Sequence, residues 1–250
     1  GHVQQGEGAD PAFNGQITAT VCDAAETVVC RRNDSSQAQK AFVYTDHTHT
    51  LFTGSDSIRQ GVFSFSFTVP RDISYSDAIG LLHVYAVNTD RTQTANGHCT
   101  RFTLGGTDAN TDDNEGPEVY CYLNSSDFVD GGRVNPTPYF IAELEDASGI
   151  NAAGNGLGHN LTLVIDGQTT QTYNLNDYFA YDFGSHTRGT VGFSIPQLTA
   201  GDHHLMFRAW DMQNNVTTRE LNFRVVEGLA PGVFEVETTR NPATTTTGFR

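Results

Sequence analysis

Residues 204–226 read HLMFRAWDMQNNVTTRELNFRVV. In 204–210, Leu205, Phe207 and Ala209 occupy alternate positions, and Leu221, Phe223 and Val225 do the same in 221–226. Period-2 alternation sets one face of an extended chain on a core and turns the other to water. Between the runs stand Asp211, Met212, Gln213, Asn214 and Asn215, and Asn tolerates the positive φ of a tight turn. The stretch predicts an antiparallel hairpin whose apolar side chains share one face.

The alternation continues outward in both directions. Residues 118–123, 139–144, 161–165 and 190–195 follow it, with one helical turn expected near 175–179. Earlier in the chain, 61–69 (GVFSFSFTV) puts Phe63, Phe65, Phe67 and Val69 on one side, and Pro70 ends the run because it cannot donate to a ladder. Residues 81–87 (LLHVYAV) and, more weakly, 13–21 read as two further strands. Short strands spaced about 8 to 15 residues apart are the pattern of antiparallel sandwiches. The expected fold is all-β, with two tandem immunoglobulin-like antiparallel β-sandwiches. Residues 105–117 (GGTDANTDDNEGP) hold no apolar side chain larger than Ala, the composition of a linker. The expected organisation is a first sandwich over 1–105, an acidic linker over 106–117, a second sandwich over 118–228 and a tail over 229–250.

Composition narrows the function classes. Asp and Glu total 29 against 14 Lys and Arg, a net charge of −15. Nucleic-acid affinity rests largely on phosphate neutralisation, so DNA and RNA are poor partners for such a chain. Lys40 is the single lysine, and no helix-type Lys/Glu pairing occurs. Thr, Asn, Ser and Gly suit exposed strands and turns, and together these features predict an extracytoplasmic β-protein. No run approaches the roughly 18 apolar residues of a membrane-spanning segment. Residues 1–10 (GHVQQGEGAD) lack the pattern of a signal peptide, and 241–250 (NPATTTTGFR) stop without a strand. Both ends read as cut from a longer exported protein.

Candidate chemistry is sparse. Of four cysteines, Cys22 and Cys30 are the disulfide candidates, closing a small loop that would contribute roughly 2 to 3 kcal/mol through the unfolded state. Cys99 and Cys121 are either an interdomain bond or two free thiols. No Cys-x-x-Cys spacing supports a structural zinc site, and His47 with His49 supplies only two ligands. Asp108, Asp112, Asp113 and Glu115 offer oxygens of the kind calcium takes, but a solvated acidic linker explains them as well. The glycines of 143–159 read as turn chemistry. Trp210, the single Trp, is expected in or beside the core. No Gly-x-Ser-x-Gly elbow or opposed carboxylate pair is present. No catalytic, cofactor or metal residue is assigned.

An ordered series of motifs carries a resemblance. It comprises Asn135-Pro136-Thr137-Pro138, ELEDASGINAAGNGLGHNLTLVIDG (143–167), Leu175-Asn176-Asp177-Tyr178, Thr187-Arg188-Gly189-Thr190-Val191 and LTAGDHHLMFRAWDMQNN (198–215). These resemble the region that follows the peptidase domain in the gingipain-type cysteine peptidases serving as sortases of the type IX secretion system. GVFSFSFTVPRDISY (61–75) and GLLHVYAV (80–87) resemble the same family. The resemblance implies a parent protein on the outer face of the outer membrane in Bacteroidota. That parent cuts the C-terminal signal from secreted cargo proteins and joins the new end to anionic lipopolysaccharide. The family's His/Cys pair lies upstream, so none of its catalytic residues falls on this chain. Residues 229–250, with Asn241-Pro242, resemble the start of the C-terminal domain that docks on a PorV-like outer-membrane β-barrel. The chain itself is expected to be a non-enzymatic spacer and interaction region without a cofactor. The competing expectation is a stand-alone adhesin or carbohydrate-binding sandwich, resting on Trp210 and the long polar loops.

Overall fold

The computed structural model describes residues 1–30, 41–71, 73, 78–105, 113–153 and 158–229. Most of the acidic stretch 106–117, including Asp108 and Asp112, and all of 230–250 lie outside the described residues. The chain is all-β. The first group of strands is β1 (Gln4–Gln5), β2 (Gly8–Ala9), β3 (Gly15–Cys22), β4 (Glu26–Cys30), β5 (Phe42–Asp46), β6 (Thr50–Ile58), β7 (Leu81–Asn88) and β8 (Thr94–Cys99). The second is β9 (Glu118–Leu123), β10 (Arg133–Val134), β11 (Tyr139–Glu145), β12 (Thr162–Ile165), β13 (Thr172–Asn174), β14 (Phe179–Tyr181), β15 (Arg188–Ser194), β16 (Gly201–Trp210) and β17 (Val216–Val225). Among the described residues, ladders form only within each group.

The second group makes a two-sheet sandwich. One sheet runs β10-β17-β16-β12-β13 and the other β14-β15-β11-β9. All pairings are antiparallel except β10 with β17. The hairpin expected from 204–226 is present, with Leu205 opposite Leu221 and His203 opposite Phe223. Leu205, Phe207 and Ala209 are fully buried, Phe223 and Val225 nearly so. Asn214 takes φ +70° in the turn, the conformation its residue type permits. The strand β17 starts at Val216, earlier than its apolar alternation, because residues 216–220 (VTTRE) continue the ladder while facing solvent. Phe140 and Phe207 meet across the sandwich at 5.1 Å between ring centroids. A single helical turn, Asn176–Tyr178, occupies the place expected for one.

The first group is built on one four-stranded sheet, β6-β3-β7-β8, with two small hairpins, β1-β2 and β4-β5. Its core is thinner, a cluster of Val3, Phe13, Ile17, Ile58 and Ala86 and a second of Leu51, Ile73 and Leu104. The expected strand over 61–69 needs a correction. Phe63, Phe65 and Phe67 are half-buried and Ser64 and Ser66 exposed, as alternation requires, yet only Val62 pairs, through isolated bridges to His2 and Arg59. The sheet is complete as β6-β3-β7-β8, and the segment joins no ladder of it. Phe63 packs on the Val3–Phe13 cluster.

Phe207→Ala is expected to cost about 3–5 kcal/mol, since the ring is completely enclosed. Phe63→Ala should cost about half of that or less, as its ring already keeps part of its surface in water. Urea titrations of the two variants followed by circular dichroism test this, and equal losses would contradict it.

Candidate functional site at the junction of the two sandwiches

Phe52 of β6 is 4% exposed and touches both halves of the molecule. It stacks on Phe67 at 5.5 Å and meets Tyr181 of β14 at 5.2 Å. Tyr181 donates its hydroxyl to the Ile150 carbonyl at 2.6 Å, and burial pushes the phenol far above its ordinary pKa. Among the described residues, three hydrogen bonds cross the junction. Gly184 N–H donates to Ser55 O at 2.8 Å, Arg71 N–H to Met212 O at 3.1 Å, and Arg71 Nη1 to Gln213 O at 3.2 Å. The alternating segment thus supplies Phe67 to Phe52 and, one residue past Pro70, hands Arg71 to the β16–β17 turn. Beside the rings lies a cleft of about 510 Å³ edged by Thr53, Asn160, Asn174, Asn176 and Asp177. Its amides are already engaged: Asn176 Oδ1 accepts from Leu161 N–H, and Asn176 Nδ2 donates to Asn160 Oδ1.

The residues singled out in the sequence fall elsewhere. Cys22 and Cys30 are free thiols, contrary to the expected pairing. Cys22 is buried at the end of β3 and pairs in register with Thr50 and Leu81, whereas Cys30 is exposed at the end of β4 opposite Phe42. They belong to different sheets, so no single hairpin brings them together. Cys99 and Cys121 are free as well. Burial raises the Cys121 thiol to about 11, which keeps it protonated and a poor nucleophile. His47 and His49 lie between β5 and β6, on no strand. The first donates to the Asp23 carbonyl and the second stands 3.5 Å from Glu26. Trp210 is half-buried with His159 against its ring.

Two constellations were not visible in the sequence. Asp113, Asp146 and Asp211 bring carboxylate oxygens within 4.8 Å of one another. Asp211 is completely buried, and that burial raises its pKa despite hydrogen bonds from Asn215 and Gln213. Oxygen donors of this kind suit a divalent cation. Here they serve the chain, since Asp211 accepts from Gln213 N–H, Asn215 N–H and Asn215 Nδ2, and Asp146 accepts from Ser148. The second is His203, with Nδ1 2.8 Å from Asp166 Oδ2 and Nε2 2.8 Å from Thr199 O. A histidine–carboxylate pair suggests a general base, but the other nitrogen faces a carbonyl in place of a nucleophile. It acts as a clamp. The adjacent His203-His204 and the Asp166-Gly167 turn carry no sequence pattern that would have joined them.

The chain is therefore an all-β region whose best-formed feature is an interface between two β units. Among solved structures it is similar to the crystal structure of dimeric latent PorU from Porphyromonas gingivalis. The two are 36% identical with a TM-score of 0.50, and the match covers 97% of this chain and 22% of the PorU chain. The chain is thus related to a region of PorU and spans about a fifth of that protein's solved length. No family model and no curated protein matches it.

The clamp makes stability depend on pH. Burial alone would lower the His203 pKa, but its acceptors Thr199 O and Asp166, with Asp202 nearby, raise it overall. The protonated form is favoured in the fold, so the stabilisation is complete below the unfolded value of about 6.5 and is lost as pH rises through the folded value. His203→Gln is expected to flatten the melting temperature between about pH 6 and pH 8 relative to the parent sequence. An unchanged pH profile in that variant would contradict the assignment.

Proposed function

We propose that the chain is the non-catalytic β-sandwich region of a type IX secretion sortase. In this reading the parent protein removes the C-terminal signal from exported cargo, attaches the cargo to anionic lipopolysaccharide, and works on the outer face of the outer membrane. The observation that carries it is the 36% identity to PorU over 97% of the chain. The chemistry of the described residues supports it too. The hydrogen-bonded His203–Asp166 pair is spent on structure, and the Cys121 thiol is held protonated.

Two roles follow for the region. The Phe52–Tyr181 junction suits a spacer that keeps other domains at a fixed separation. The β4-β5 hairpin suits an interaction element. Among the described residues its two strands pair only with each other, and they expose Val29, Phe42, Val43 and Tyr44. Open strand edges flanked by apolar side chains recruit further strands. The PorU chain it resembles is described as dimeric, and we assign the hairpin to contact between two copies of the parent. Docking on a PorV-like barrel is assigned to the parent's C-terminal domain.

In cells, deleting the segment equivalent to 1–228 from the parent should leave cargo with its signal uncut and off the surface. Replacing Phe42 and Tyr44 by Asp should shift the purified parent from dimer toward monomer in light scattering. Normal cargo processing after the deletion would overturn the sortase-region assignment. A dimer unchanged by the hairpin substitutions would overturn only the hairpin's role.

A further inference from the structure

The outer face of the sheet β14-β15-β11-β9 is an ordered aromatic surface ringed by carboxylates. Tyr120 of β9 and Tyr139 of β11 are 53% and 44% exposed. Tyr120 donates to Ser126 O at 3.0 Å, and Tyr122 donates to Glu143 Oε1 at 3.0 Å. The Tyr120 and Tyr122 rings lie 5.4 Å apart. Tyr139 crosses onto β15 where Gly192 leaves room, since a Cβ there would sit 2.3 Å from the tyrosine hydroxyl. These rings are held in place before any partner arrives, which lowers the entropy cost of binding.

The charges on this face are set against one another. Glu118 stands directly opposite Glu145 across the β9–β11 ladder, both exposed, and like charges in that position destabilise a sheet. Glu143 adds a third carboxylate between them and the tyrosines. Two arginines share the depression, and Arg188 stands opposite Glu145 on the β15 side, but each already has a partner. Arg188 pairs with Asp182 at 3.2 Å, and Arg219 Nε donates to the Val119 carbonyl at 3.1 Å. Glu118, Tyr120, Glu143 and Glu145 line one depression of about 660 Å³, with Asp182, Arg188 and Arg219 at its edge, so carboxylates outnumber cations there.

We propose that this face is a docking surface for a cationic polypeptide segment that offers Arg or Lys side chains to Tyr120, Tyr139 and the three glutamates. Guanidinium groups stack on aromatic faces and bind carboxylates two-pronged, so one segment satisfies both features. An apolar partner would bury the carboxylates unpaired, and a polyanion would be repelled. The net charge of −15 steers a cationic segment toward the molecule. The inference stands on this sheet alone and does not depend on the sortase assignment.

The test is fluorescence anisotropy of a labelled peptide of alternating Arg and Gly, titrated with the 250-residue chain. Glu118→Gln and Tyr120→Ala are each expected to weaken capture about fivefold. Glu7→Gln, an equal charge change on the first unit, should alter it less than about twofold. Glu118→Gln should also raise the melting temperature, because it removes the repulsion from Glu145, so lost capture cannot be lost folding. Equal losses for Glu118→Gln and Glu7→Gln, unchanged capture by Tyr120→Ala, or no capture by the unaltered chain would each overturn the proposal. Competition by a neutral oligosaccharide would overturn it in favour of a sugar-binding face.

Discussion

The ring of Phe52 is the contact on which the arrangement of this molecule depends. It belongs to a strand of the first sheet, yet its neighbours include Tyr181 of the second sandwich and the phenylalanines of an unpaired extended segment. Burying an aromatic ring removes a large apolar area from water, and the share covered by Tyr181 is gained only while both units stay together. The first unit has more need of this contact. Its core is split into two small clusters, whereas the second unit encloses Phe140, Phe207 and Phe223 in one continuous core. The crossing hydrogen bonds of Gly184 and Arg71 then fix orientation, because unlike ring contacts they tolerate little sliding.

Much of the second sandwich was legible in the sequence, and the reason is physical. Its long strands bury one side against an opposing sheet, so Phe140, Ala142 and Leu144, or Leu205, Phe207 and Ala209, carry the period of the backbone directly. Short elements such as β10, β13 and β14 carry at most three residues each, too few to show a period. The run GVFSFSFTV was legible in one respect and not in another. Alternation reports which side of an extended chain is covered, but not whether its backbone is paired. Here the Phe side was right and the ladder was absent.

The sites were less legible than the fold. The junction joins Phe52 to Tyr181 and Ser55 to Gly184, pairs separated by more than a hundred positions, with no motif to connect them. Of the Asp113–Asp146–Asp211 group only Asp113, in the acidic stretch, stood out in the sequence, because Asp146 and Asp211 lie far from it along the chain. Cys22 and Cys30 show the opposite hazard. Closeness in sequence suggested a bond, but the chain leaves the first sheet between them and starts a separate hairpin. Where two chemically suggestive groups did come together, at His203 and Asp166, the remaining nitrogen met a backbone carbonyl.

Hydrogen exchange at single amides tests the junction most directly. The Gly184 and Arg71 amides donate across it, to Ser55 and Met212. In the unaltered chain both should be protected to a degree comparable with amides inside β11 and β16. Phe52→Ala should release these two amides while the β11 and β16 amides keep their protection. If Gly184 and Arg71 exchange as freely as exposed loops before any substitution, the two sandwiches move independently and the spacer account is wrong.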